Sequence, residues 1–136
     1  MTRRLLILAL LLPSTSCATR KYMMSQPLDN GQKAVYDAPF DKVKRACYDV
    51  IAELSYSIKD EQWDHRDDKA WVINSSVGLA SGGAGKYARF VIIKSEKEQT
   101  VYVLVESKAG TRGANQSDQD DQKSIQARIE KRVTGK

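Results

Sequence analysis

The sequence predicts an α+β fold: a two-layer sandwich whose mainly antiparallel sheet carries its helices on one face, in the order β-α-β-β-β-β-α. Three observations predict it. Apolar residues recur at steps of three and four through PFDKVKRACYDVIAEL, four stretches of strand character follow across polar connections, and a second, narrower helical stripe comes last.

The chain opens on charge and then on an apolar run. Arg3 and Arg4 precede Leu5 to Leu12, and Pro13, Ser14, Thr15 and Ser16 lead to Cys17. That order predicts a secretory signal. A spanning helix needs roughly 20 apolar residues, and this run is far shorter and is followed by proline. It is apolar on all sides, which excludes a buried amphipathic helix.

Residues 1–18 resemble a bacterial lipoprotein signal, in which a peptidase cuts before a cysteine carrying a thioether-linked diacylglycerol. The resemblance implies a signal peptide over 1–16 and lipid on Cys17. The family usually has Leu three residues before the cysteine, where this chain has Ser14. Ordinary cleavage after Ala18, with the small residues Ser16 and Ala18 flanking Cys17, is the alternative. Either cut implies export. The family's inner-membrane members tend to have Asp directly after the cysteine; Ala18 therefore implies the outer membrane, with the protein facing the periplasm. Two or more acyl chains make such an anchor stable.

Removing residues 1–16 takes away two arginines and no acid, lowering the net charge from +5 to +3, and leaves 120 of 136 residues. That length suits one domain. Of the two cysteines, Cys17 is the expected lipid site and Cys47 is expected to be buried. Residues 17–31 show no sustained period and predict a lipid-anchored tether, and residues 32–136 predict the single domain.

Within the domain, QKAVY reads as a short strand. In the following helix Phe40, Val43, Cys47, Val50, Ile51 and Leu54 share one face, with Pro39 expected in the first turn. Strands are expected over 56–63, 70–77, 87–94 and 100–108. In the last of these Val101, Val103 and Val105 point one way and Tyr102, Leu104 and Glu106 the other. A helix over 119–133 carries Ile125, Ile129 and Val133, with Ser117 and Asp120 as an expected capping box. The element order also resembles the helix-grip domains of the BamC lipoprotein and a family of short lipoproteins of unknown function, on fragments such as YDAPFDKVKRACYDVIAEL and KSIQARIEKRV. That resemblance carries no catalytic residue.

Chemical motifs fail on spacing. In GLASGGAGKY the P-loop positions are filled by Ala80 and Tyr87. The acids around His65 lack the glycine of a calcium loop and read as a solvated hairpin tip. With one histidine in the chain, neither a zinc set nor a Ser-His pair has support. No cofactor, no metal and no enzymatic activity are expected. Lys86, Arg89, Lys108 and Arg112 around Tyr87 suggest a patch for phosphates of lipopolysaccharide, acidic cell-wall polymer or an acidic protein face, with a solvated rim as the plainer account. Nucleic acid is not expected, because export removes it and the charge is only mildly basic.

The sheet face opposite the helices carries Tyr87, Val91 and Ile93 on one strand and Tyr102 and Leu104 on the next. Left uncovered, that row predicts an interaction surface. The functional expectation is a non-enzymatic, envelope-tethered accessory module that binds another envelope protein. The alternative is a carrier or sensor of a small apolar or lipid-like ligand, held between sheet and long helix by Phe40, Val43, Cys47 and Val50.

Overall fold

The computed structural model describes residues 23–78, 85–107 and 116–135. They form an α+β sandwich of five strands and two long helices: β1 (Gln32–Tyr36), α1 (Phe40–Glu53), β2 (Ser57–Trp63), β3 (Ala70–Val77), β4 (Lys86–Ile93), β5 (Gln99–Ser107) and α2 (Gln116–Thr134). The sheet order is β1-β5-β4-β3-β2, antiparallel throughout. The two edge strands are therefore β1 and β2.

Both helices lie on one face. The stripe of α1 buries Val43, Ala46, Cys47, Val50 and Ile51, and that of α2 buries Ile125, Ile129 and Val133. They pack on the inward side chains of the sheet, among them Phe90, Ile92, Val101, Val103 and Val105. Burial pushes the Cys47 thiol up to about 12, so it is a packed apolar side chain and not a nucleophile. Pro39 stands at the N-cap of α1, one place outside the expected first turn, where its lack of an N–H costs no helical bond. At the other end Ser55 adopts φ 61°, with Tyr56 N–H bonded to Ile51 O and Ser55 N–H to Ala52 O. This Schellman closure turns the chain sharply into β2.

The start of α2 differs from the expected capping box. The helix begins at Gln116, so Ser117 lies inside it, and Asp118 is buried and not solvated. The reason lies in the sheet. β1 pairs with β5 only from Gln99 to Val103, which leaves the β5 edge beyond Val103 without a strand partner on that side among the described residues. There Val105 N–H donates to Gln122 Oε1 at 3.0 Å and Ser107 N–H to Asp118 Oδ2 at 3.2 Å. One helical turn further on, Gln126 Nε2 donates to the carbonyls of Val101 (2.9 Å) and Gln32 (2.8 Å). Residues 118, 122 and 126 thus form a polar stripe that finishes the hydrogen bonding β1 is too short to supply, beside a narrow apolar stripe.

Candidate functional site

The segment read as a tether folds back over the sheet. Met23 to Ser25 make a single helical turn, and Asn30 N–H closes a turn onto Pro27 O before Gly31 leads into β1. Gly31 has φ 108°, and a Cβ there would lie 2.3 Å from Val103 O, so only glycine brings the strap this close to β5. Met23 is 2% exposed and packs on Tyr87 and Leu104. Leu28 packs on Ala70, Val72 and Val91, with Ile93 and Tyr102 at the margin. The expected open row of apolar side chains is therefore covered by the chain's own residues 23–30. Leaving those side chains in water would cost about 25 cal/mol for each Å² of apolar surface.

Arg89 fastens this strap. The register sets Arg89 opposite Leu104 on one side and Asn74 on the other, in the middle of the sheet, where it is 1% exposed. Its guanidinium donates from Nη1 to Met23 O (2.8 Å) and Gln26 O (3.0 Å), and from Nη2 to Pro27 O (2.7 Å). Burial, with the nearby Arg66 charge second, pulls its pKa down to about 10, which leaves it charged at neutral pH. From the β2–β3 connection Arg66 reaches Gln26 O at 3.0 Å and Met24 O at 3.2 Å. Asp64 aims it, through contacts of 3.0 Å to Nε and Nη2. The connection around His65 is thus not wholly a solvated tip: His65 is exposed, but Asp64 is buried and engaged.

The Asp64 carboxyl is held below its ordinary 3.8, first by the hydrogen bond from Arg66. A carboxylate depressed on folding contributes stability that is complete above its unfolded value and lost as pH falls through the folded one. The methyl NMR signal of Met23 is therefore expected to hold still from pH 7 to 5 and to shift only below about pH 4. A shift between pH 7 and 5 would show that Asp64 does not position Arg66.

Beside the strap lies a cleft of about 380 Å³, lined by Met24, Gln62, His65, Val72, Asn74 and Arg89 among others. Asn74 is 7% exposed and donates to Asp60 Oδ1, yet its Oδ1 has no hydrogen-bond partner among the described residues. The same holds for Arg89 Nε. A buried donor and a buried acceptor on laddered neighbours are satisfied together by one group that both accepts and donates, such as a hydroxyl.

The remaining expected site residues separate. Lys86 belongs to no free basic patch: its Nζ lies 2.6 Å from Asp121 Oδ2 and 3.1 Å from Asp118 Oδ1. Burial works against its charge, but these carboxylates outweigh it and raise its pKa above the usual lysine value. Arg89 is inside the fold. Cys17, Lys108 and Arg112, and the glycine-rich residues 79–84, lie outside the described residues. Around the pocket expected for the alternative, Val43, Cys47 and Val50 are fully enclosed by core side chains. Phe40 is half-buried at the margin of that core and stacks on Trp63 at 5.6 Å.

That stacking belongs to an aromatic corner absent from the sequence reading. Trp63 meets Trp71 edge to face at 5.2 Å, and Lys44 Nζ sits 4.1 Å from the Trp71 ring centre. Three aromatics scattered over 32 residues carry no local period, so only strand pairing brings them together; Trp63 and Trp71 are direct partners across β2 and β3.

Compared with known proteins, the chain matches no family model and no curated protein sequence.

Proposed function

We propose that this chain is an exported lipoprotein, anchored through Cys17 at the periplasmic face of the outer membrane, whose folded part is a non-enzymatic docking module for another envelope protein. The leader supports the anchor: Arg3 and Arg4, then the apolar run, then PSTSC. The strap carries the docking role, because it shortens the leash. With Met23 buried on the sheet, only residues 18–22 separate Cys17 from the fold. At about 3.3 Å per residue that spans roughly 20 Å, under half the reach of a free tether starting at the same cysteine and ending at residue 31. A domain held that closely works at the bilayer surface and meets partners that are themselves in or on the membrane. The aromatic corner of Phe40, Trp63 and Trp71 supplies apolar contact for such a partner.

Cell fractionation tests the anchor. The Cys17→Ala variant is expected to move from the membrane pellet to the soluble envelope fraction, whereas wild type stays in the pellet through a high-salt wash. A variant that still pellets as wild type does would overturn the reading.

A further inference from the structure

The two edges of the sheet are built differently. β2 carries a bulge between Ile58 and Asp60 and places Lys59, Asp60 and Glu61 in succession, devices that discourage a further strand. β1 pairs with β5 in unbroken register, with no bulge and no proline, and its outer side meets no strand among the described residues. Its Val35 is 50% exposed. At alternate positions the exposed side chains run Lys33 and Val35 within β1 and Asp37 directly after it, a cation and an anion placed evenly about an apolar centre.

We propose that β1 is the seam of a homodimer, in which two copies pair antiparallel about a two-fold axis through Val35. That register sets Val35 against Val35 and brings Lys33 of each copy opposite Asp37 of the other, giving two ion pairs and one apolar contact. A shift of one residue in either direction loses both ion pairs, so the charge pattern selects this alignment. The helix side agrees with it. Gln126 bonds to both ends of β1, at Gln32 O and at the Tyr36 hydroxyl, which sets the neighbouring Ala127 close to the same axis. A groove of about 530 Å³ runs between β1 and α2, and Lys123 and Glu130 flank Ala127 along it. Opposite charges again stand about a small residue, so the two copies of α2, running antiparallel, meet with complementary ends. The axis is perpendicular to the sheet and turns both straps to one side. On the lipoprotein reading, both anchors then reach a single bilayer.

Disulfide trapping tests the seam. The full chain carrying Cys17→Ala and Val35→Cys is oxidised in lysate with copper phenanthroline, beside Cys17→Ala with Ile58→Cys, which places the thiol on the other edge. Cys47 is enclosed and stays silent. Directly opposed residues of an antiparallel pair have Cβ atoms about 4.5–5.5 Å apart, so Val35→Cys is expected to give a covalent dimer on a non-reducing gel and Ile58→Cys a monomer. Adding Lys33→Asp is expected to lower the trapped fraction about tenfold, as lost pairs and new repulsion combine; adding Asp37→Lys as well restores it and shows that the fold is intact. Trapping no stronger than at Ile58→Cys, or trapping indifferent to Lys33→Asp, would overturn the proposal, whether the true occupant of the edge is a different protein or nothing. Because every variant lacks Cys17, the outcome is independent of the anchor.

Discussion

Arg89→Ala is expected to lower the unfolding free energy by about 2–4 kcal/mol and to free the strap while the rest of the fold persists. Three charge-assisted hydrogen bonds hold the carbonyls of Met23, Gln26 and Pro27, and each is worth roughly 1.5–3 kcal/mol. Two effects reduce the total. Burying the guanidinium carries a desolvation cost that the variant no longer bears, and released carbonyls need not stay dry, because the strap can lift and let water reach them. The loss is therefore capped by the free energy of detaching residues 23–30. Detachment bares Tyr87, Leu104 and Val91, so the variant is also expected to bind a hydrophobic dye and to be cut within the strap by a protease that leaves wild type whole. Arg89→Lys should fall between, since an ammonium lacks the planar fork that reaches three carbonyls. An unchanged urea midpoint with an uncut strap would remove Arg89 from this role.

Gln126→Leu is expected to cost about 2–3 kcal/mol although it exchanges a polar side chain for an apolar one in a buried place. The amide is a hub: Oε1 accepts from the Tyr36 hydroxyl at 2.6 Å, and Nε2 donates to Val101 O and Gln32 O. Leucine fills similar volume but offers no donor, and each buried polar atom left without its partner costs about 1–3 kcal/mol. Tyr36 is partly protected, because its hydroxyl also reaches Gln126 O at 3.1 Å, a main-chain acceptor that survives the substitution. Tyr36→Phe alone should therefore cost only about 1 kcal/mol, and Tyr36→Phe with Gln126→Leu less than the sum of the two. Urea denaturation of the four proteins measures the cycle. Additive losses would mean that the hydroxyl and the amide act independently.

The parts of the fold legible in the sequence were those that repeat. α1 announces itself by Val43, Cys47 and Val50, and β5 by alternating Val101, Tyr102, Val103 and Leu104, because burial on one face imposes a period on the residues that form it. The adjacency of two strands was legible as well: the strand of Tyr87, Val91 and Ile93 does lie beside that of Tyr102 and Leu104, in a register that sets Val91 against Tyr102. The cover over that face was not. Met23 and Leu28 are two apolar side chains in an aperiodic stretch, and what holds them is a side chain more than sixty positions away gripping main-chain oxygens, which leave no mark in a sequence. Charge misled in the same way. The solvated rim offered as the plainer account of Arg89 follows what most charges do, whereas its guanidinium is buried where main-chain oxygens would otherwise lack a partner. The start of the last helix read as a capping box of Ser117 and Asp120, and Asp118 and Gln122 turn out to finish the edge of β5.

The grip of Arg89 and Arg66 on carbonyl oxygens alone has a consequence for how this chain tolerates change. Nothing in that grip depends on which side chains the gripped residues bear, so Met24, whose carbonyl alone is held, is free to be respelled, while Met23, Leu28 and Gly31 are held by shape and Gln26 is tied through its amide oxygen to Asn30. A random library across positions 23–31, sorted for the native fold, should come back nearly blank at position 24 and almost unanimous at position 31.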